Sequence, residues 1–262
     1  METTGFLDRG DGIRLAWAKT AGAGPTVVFL PGFRSDMTGD KATGLAAFCA
    51  IRGRAMLRFD YSGHGASDGA FTSGTIGTWA ADACTAIDRL TSGPLILVGS
   101  SMGGWIALRT ALARPDRVAA LVGIAAAPDF TRRMMTERLN PGQQAVLNRD
   151  GIVYLPSQYG DPTPITKALI EDGPRHFVLT GRIPLRCPVR LLHGQADPDV
   201  QWRLSLEIAE QMESRDVQVI LVKDGDHRLS RPQDLALLNR TVGALFPQDG
   251  AQPVPIGGIK PG

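Results

Sequence analysis

This chain is short of the features that place a sequence in most functional classes. Its three cysteines, Cys49, Cys84 and Cys187, lie in or beside apolar segments with no C-x-x-C spacing. They read as buried thiols of a reducing compartment rather than as a disulfide framework or a metal site. Charge of either sign is not in excess, with 28 Lys and Arg against 26 Asp and Glu. That balance leaves no electrostatic footprint for nucleic acid, and the pair Arg132-Arg133 reads as a solvated helix face. No apolar run is long enough to cross a bilayer, and Met1 to Gly12 carries acidic residues without the hydrophobic stretch of a targeting signal. The expectation is a cytoplasmic protein without a transmembrane segment; nothing sets its oligomeric state.

What is present is a core. A chain of 262 residues with 43% hydrophobic side chains can bury one substantial interior. Phe6 to Lys19 reads as a hairpin turning at Asp11-Gly12. Thr26 to Leu30, Ala55 to Phe59, Leu95 to Val98, Val118 to Ala126, Pro188 to Gly194 and Val217 to Val222 are apolar runs of the kind buried on both faces of a sheet. Between them lie helical stripes. Leu45, Phe48, Cys49 and Ile51 form one that stops at Gly53, and Ile76, Trp79, Ala83, Ile87 and Leu90 form another. A further helix closes before Arg114-Pro115, and Leu204 to Met212 and Leu235 to Phe246 complete the set. This alternation predicts an α/β fold: a mostly parallel twisted sheet with helices on both faces and right-handed crossovers. Residues 1–247 are expected to form a single domain. From about 129 to 186 the rhythm breaks into helical fragments between Asn140-Pro141-Gly142, Tyr154-Leu155-Pro156 and Asp161-Pro162-Thr163-Pro164. Inserted between two strands, this segment is expected to be a lid over the sheet's C-terminal edge, without strong strands of its own. The Gly- and Pro-rich tail, 248–262, is expected to be disordered.

Chemistry enters with Gly99-Ser100-Ser101-Met102-Gly103, a G-x-S-x-G where a buried strand hands over to Trp105-Ile106-Ala107-Leu108. Among 31 glycines the spacing alone recurs by chance; the strand before it and the helix after it give it meaning. Such a turn forces positive φ on the serine and crowds the residues two positions to either side. Asp197 then leaves the end of the strand at Gly194, and His227 follows the strand at Val222. Serine, acid and histidine in that order, each past the C-terminal end of a strand, predict Ser101 as nucleophile, His227 as base and Asp197 as the group that orients the base. The Met102 amide, at a helix start, is the first expected oxyanion donor. The Phe33 amide, after Pro31 and Gly32, is the second. Asp199 is a rival acid farther from the strand end, and Asp129 a more remote one. Asp226 reads as a turn residue, His193 as a packed histidine, and His64 as structural because its glycine-rich turn lacks the Gly-Lys-Ser/Thr of a phosphate loop. His176 falls in the lid with no assigned role.

Leu30-Pro31-Gly32-Phe33, Arg58-Phe59-Asp60-Tyr61-Ser62-Gly63, Ile96 to Trp105, Ala113-Arg114-Pro115, Arg190-Leu191-Leu192-His193-Gly194 and Gly225-Asp226-His227-Arg228 together resemble the α/β-hydrolase superfamily. Within it they resemble the group of mitochondrial palmitoyl-protein thioesterases and acyl-glucuronide esterases with their bacterial relatives. The resemblance runs from about residue 25 to 246 and loosens in the lid, and no mitochondrial presequence is visible. It implies an α/β-hydrolase fold and hydrolysis of carboxylic esters or acyl thioesters through an acyl-enzyme, acting on a small-molecule or acyl-bearing substrate, without metal or organic cofactor. Peptide or carbon–carbon bond cleavage on the same triad, or a non-catalytic binding protein on the same scaffold, are the alternatives. The absence of an acidic cluster for a cationic peptide N-terminus disfavours an aminopeptidase.

Overall fold

The apolar runs become neighbouring strands of one eight-stranded sheet. The computed structural model describes residues 2–157 and 160–247; the tail from 248 onward lies outside the described residues. In chain order the elements are β1 (Glu2–Asp8), β2 (Arg14–Thr20), β3 (Ala23–Leu30), α1 (Asp40–Ile51), β4 (Arg54–Phe59), α2 (Ile76–Leu90), β5 (Leu95–Ser100), α3 (Met102–Ala113), β6 (Val118–Ile124), α4 (Phe130–Arg133), α5 (Pro141–Asp150), β7 (Ile152–Leu155), β8 (Thr163–Thr166), α6 (Lys167–Asp172), β9 (Val189–Gly194), α7 (Arg203–Gln211), β10 (Val217–Val222) and α8 (Pro232–Gly243). The sheet order is β1-β2-β4-β3-β5-β6-β9-β10. The hairpin strands β1 and β2 are antiparallel, and β4, β3, β5, β6, β9 and β10 run parallel to one another.

Side-chain alternation builds the core. Along β3 and β5, Val28, Leu30, Leu95 and Leu97 face one side with Trp79 of α2, Trp105 of α3 and Ile208 of α7. Val27, Phe29, Ile96 and Val98 face the other side with Leu45 of α1 and Leu238 and Val242 of α8. Each fully buried Leu, Ile or Val contributes about 1.5–3 kcal/mol, which is why these strands carry no polar face. The chain leaves β3 toward β4 on one side and returns to β5 on the other. The strand order therefore reverses between β3 and β5, and the crevice at their C-terminal ends is where an open α/β sheet places its ligand.

Four local features depart from the sequence reading. Ile51 was expected in the buried stripe of α1 but is 84% exposed, because the helix is covered on one side only. β6 ends at Ile124 rather than Ala126: Ala125 takes φ 44°, which breaks the strand and lets the Ala127 amide donate to the Ser101 carbonyl at 3.0 Å. The segment between β6 and β9 holds a short antiparallel pair, β7 with β8, where no strong strand was expected. Pro164 sits opposite Tyr154 in this pair, and its missing N–H is tolerated because the pair consists entirely of edge strands. Asn140-Pro141, which looked like a break, starts α5 instead. The Asn140 side chain accepts from the Gln143 amide at 2.9 Å, and the Gln143 side chain accepts from the Asn140 amide at 3.0 Å, a capping box with proline at the first helical position.

That intervening segment has its own small core of Leu139, Leu147, Val153 and Ile165. Met134, Met135, Val146, Leu155 and Ile170 pack against it, partly buried. Phe33, from the loop after β3, packs against both this cluster and the main core.

Candidate active site

Ser101 stands between β5 and α3 with φ 53° and ψ −118°. An L-residue in this conformation costs about 1–3 kcal/mol and persists only where its surroundings fix it. The Ser101 amide donates to the Ile124 carbonyl at 2.9 Å, and its carbonyl accepts from Gly104 at 2.9 Å and Ala127 at 3.0 Å. A Cβ on Gly99 would stand 2.2 Å from the Gly103 carbonyl oxygen, and one on Gly103 would stand 2.0 Å from that of Leu30. The turn therefore requires glycine at both positions.

The Ser101 hydroxyl lies 3.1 Å from His227 Nε2, and His227 Nδ1 lies 2.8 Å from Asp197 Oδ2. The three residues, separated widely along the chain, meet because β5, β9 and β10 all end on the same edge of the sheet. The acid and base loops are tied together by the Gln195 amide on the Val222 carbonyl at 2.8 Å and the Ala196 amide on the Gly225 carbonyl at 3.0 Å. Lys41, from α1, donates to the Arg228 carbonyl beside the base. Burial, and then the neighbouring Arg228 charge, push the Lys41 ammonium down to about 8.

The Asp197 side chain is 0% exposed. Burial opposes its ionisation, but hydrogen bonds from His193 and His227 and the amide of Val200 win, and hold the carboxyl well below the usual carboxylate range. Its Oδ1 accepts from the amides of Asp199 at 2.7 Å and Val200 at 2.8 Å. With the acid ionised, His227 donates from Nδ1 and presents its Nε2 lone pair to the Ser101 hydroxyl, the arrangement that a general base requires.

Both expected oxyanion donors border the nucleophile. Met102 is the first residue of α3, where an amide has no preceding turn to bond. The loop after β3 runs so close that a Cβ on Gly32 would lie 3.4 Å from the Ser101 Cβ. The next residue, Phe33, is wedged edge-on between Phe71, Trp79 and Phe130, with ring centroids 4.9, 5.8 and 5.6 Å away.

The rival residues are engaged elsewhere. Asp199 pairs with Arg138 at 3.2 Å. Asp129 is buried, and its carboxylate accepts from the amides of Val178 at 2.9 Å and Leu179 at 3.0 Å. Asp226 caps its own turn through the Leu229 amide at 2.9 Å. His64 is buried edge-on against Tyr61, Phe71 and Trp79. His176 meets Asp172 at 3.2 Å, and its carbonyl accepts from the Trp105 indole at 3.0 Å. Arg132 lies over the Phe177 ring at 4.3 Å, and Arg133 pairs with Glu207 at 3.2 Å, so neither is a merely solvated charge. The three cysteines are free, but only Cys49 is fully buried; Cys84 and Cys187 are half-buried.

Sequence reasoning missed the polar ties that surround the site. Arg34, at φ 57°, donates to the carbonyls of Asp161 at 2.7 Å and Pro162 at 3.1 Å, joining the Phe33 loop to the segment between β6 and β9. Arg138 joins that segment to the acid loop through Asp199. Nothing in a linear sequence pairs arginines with such distant partners. Among the described residues, the ligand atoms of Asp197, Asp199 and His227 are close enough to share a cation. Both oxygens of Asp197 are already engaged by amides and histidines, and one oxygen of Asp199 by Arg138.

The comparisons agree with this architecture. The model of the alpha/beta hydrolase family matches residues 27–237. The human protein named palmitoyl-protein thioesterase ABHD10, mitochondrial, is 41% identical over 243 residues, covering 92% of this chain and 79% of the relative. The structure of mouse alpha/beta hydrolase domain-containing protein 10 superposes with a TM-score of 0.86 at 41% identity, covering 93% of this chain and 98% of that one. A putative hydrolase from Agrobacterium vitis superposes with a TM-score of 0.90 at 41% identity, covering 94% and 99%. These relatives correct the expectation of a cytoplasmic protein. The ABHD10 proteins are named as mitochondrial, and that expectation rested on unpaired cysteines and on the lack of a visible targeting signal or membrane-spanning run, features that do not fix a compartment. Among the described residues no helix is long and apolar enough to cross a membrane. Fold, nucleophile turn and comparisons converge: the chain belongs to the alpha/beta hydrolase family.

Proposed function

We propose that the protein is a serine hydrolase that cleaves carboxylic esters or acyl thioesters through an acyl-enzyme intermediate. The observation that carries this reading is the unbroken relay from Ser101 Oγ to His227 Nε2 at 3.1 Å and from His227 Nδ1 to Asp197 Oδ2 at 2.8 Å. Ser101 attacks the acyl carbonyl while His227 takes its proton, and the buried Asp197 carboxylate stabilises the resulting imidazolium. The oxyanion is received by the amides of Met102 and Phe33. Collapse expels the alkoxide or thiolate, which leaves with the proton from His227. Water, deprotonated by the same imidazole, then attacks the acyl-serine, and His227 returns that proton to the departing Ser101 Oγ as the acid is freed. The names of the relatives support an acyl thioester among the substrates.

In this reading residues 1–247 act as one unit, with 129–186 as a lid clasped to the rim by Arg34 and Arg138. Acyl chains enter beside Phe33, between the lid cluster and the aromatic side chains of the main core. A panel of p-nitrophenyl esters and acyl thioesters of graded length, run beside aminoacyl p-nitroanilides, tests the assignment. Each buried methylene contributes about 0.8 kcal/mol, so kcat/KM should change several-fold per two-carbon step until the site is full. Esters and thioesters should exceed anilides by orders of magnitude. Anilide turnover equal to that of a medium-chain ester would transfer the assignment to a peptidase.

A further inference from the structure

His193, the penultimate residue of β9, is 0% exposed, and each of its ring nitrogens is engaged. Nε2 lies 3.2 Å from Asp197 Oδ2 and 3.1 Å from the Val200 carbonyl oxygen. Both neighbours accept, so the nitrogen between them carries hydrogen. Nδ1 lies 2.8 Å from the hydroxyl of Ser205 on α7, itself 1% exposed. Whichever way that hydroxyl turns, it braces the far side of the ring.

The Asp197 carboxylate thereby receives four donors. Two amides hold Oδ1, while His193 and His227 share Oδ2. The contact with the Val200 carbonyl also closes the turn whose amides bind Oδ1. Remove His193 and both restraints loosen together: Oδ2 is steered only by the residue it should be steering, and the turn behind Oδ1 loses its tie. A residue that merely fills space needs none of these contacts.

We propose that His193, braced by Ser205, is a positioning residue that aims the Asp197 carboxylate at His227. The proposal rests on the serine hydrolase reading. It is tested by exchanging His193 for two amides of different reach. In His193→Gln the side-chain N–H stands about where Nε2 stood, whereas the shorter amide of His193→Asn reaches only the place of Nδ1. For each variant, kcat, KM and the pH profile of kcat/KM are measured on a p-nitrophenyl ester, beside Ser205→Ala and Ser101→Ala.

His193→Gln should keep kcat within about threefold of wild type, with the acid limb unmoved. His193→Asn should lose about tenfold to a hundredfold in kcat, the cost of a misaligned catalytic group, with KM nearly unchanged. Its acid limb should move upward by roughly half a pH unit, because a carboxylate that loses one donor holds the proton on His227 more strongly. Ser205→Ala should move the limb in the same direction by less. Equal kcat for the two amides with no movement of the limb overturns the proposal. Should His193→Asn fail to fold, an unchanged limb and kcat in Ser205→Ala overturn it instead. An inert Ser101→Ala alongside either result leaves the hydrolase reading standing; an active Ser101→Ala would fell that reading itself.

Discussion

His227 Nδ1 lies 2.8 Å from Asp197 Oδ2, and the carboxylate that receives it is wholly buried. The contact fixes which imidazole nitrogen carries hydrogen. Asp197→Asn should therefore lower kcat on the order of 10⁴-fold by favouring the wrong tautomer. Asp199→Asn should change kcat by less than about threefold, because that side chain pairs with Arg138 while Asp197 holds His227. Steady-state kinetics of both variants decide the matter, and the reverse ordering would move the acid to Asp199.

The ionisation of Asp197 shapes the pH profile. Its folded pKa is held below the usual carboxylate range. The stability contributed by its charge is therefore present above the ordinary aspartate value and lost only as pH falls through the lowered one. Over an assay range of about pH 5–9 the acid stays charged. The acid limb of kcat/KM should then have the slope of a single proton, that of the imidazole. A slope of two, or a rate that stays flat down to about pH 4, would contradict a histidine base held by a permanently ionised acid.

The elbow was legible because chemistry fixes its spacing. Gly99, Ser101 and Gly103 are set by backbone crowding within five positions, and a turn so local is written in the sequence. The order of Ser101, Asp197 and His227 was legible for a related reason: each directly follows an apolar run, and in a parallel sheet all such ends share one edge. The tie of His193 to Ser205, the clasp of Arg34 on Asp161 and that of Arg138 on Asp199 were not. They join elements whose proximity is decided by tertiary packing, and an arginine looks the same whether paired or solvated. β7 and β8 were hidden by Pro162 and Pro164, which signal a break locally although an edge pair accommodates them.

Backbone crowding at the elbow should be measurable. Gly103→Ala would press its Cβ against the Leu30 carbonyl, a backbone atom that cannot swing aside. A loss of about 3 kcal/mol or more in chemical denaturation is expected, with activity abolished. A variant as stable as wild type would mean that the start of α3 does not lie this close to the end of β3.

The segment between β6 and β9, proposed above as a lid, is anchored by Asp129, whose buried carboxylate collects the amides of Val178 and Leu179. Asp129→Ala strands both donors and should cost about 2–4 kcal/mol. Limited proteolysis should then cut first within the lid, while the sheet core remains protected. A melting temperature unchanged from wild type would show that this end of the lid is held by other contacts.

The most direct measurement is covalent. The purified protein is treated with a fluorophosphonate probe, digested and mapped by mass spectrometry, in parallel with Ser101→Ala. One equivalent of label is expected on Ser101 with complete loss of esterase activity, and no label on a folded, inactive Ser101→Ala. Labelling elsewhere, or a Ser101→Ala protein that keeps more than a few per cent of wild-type turnover, would contradict Ser101 as the nucleophile.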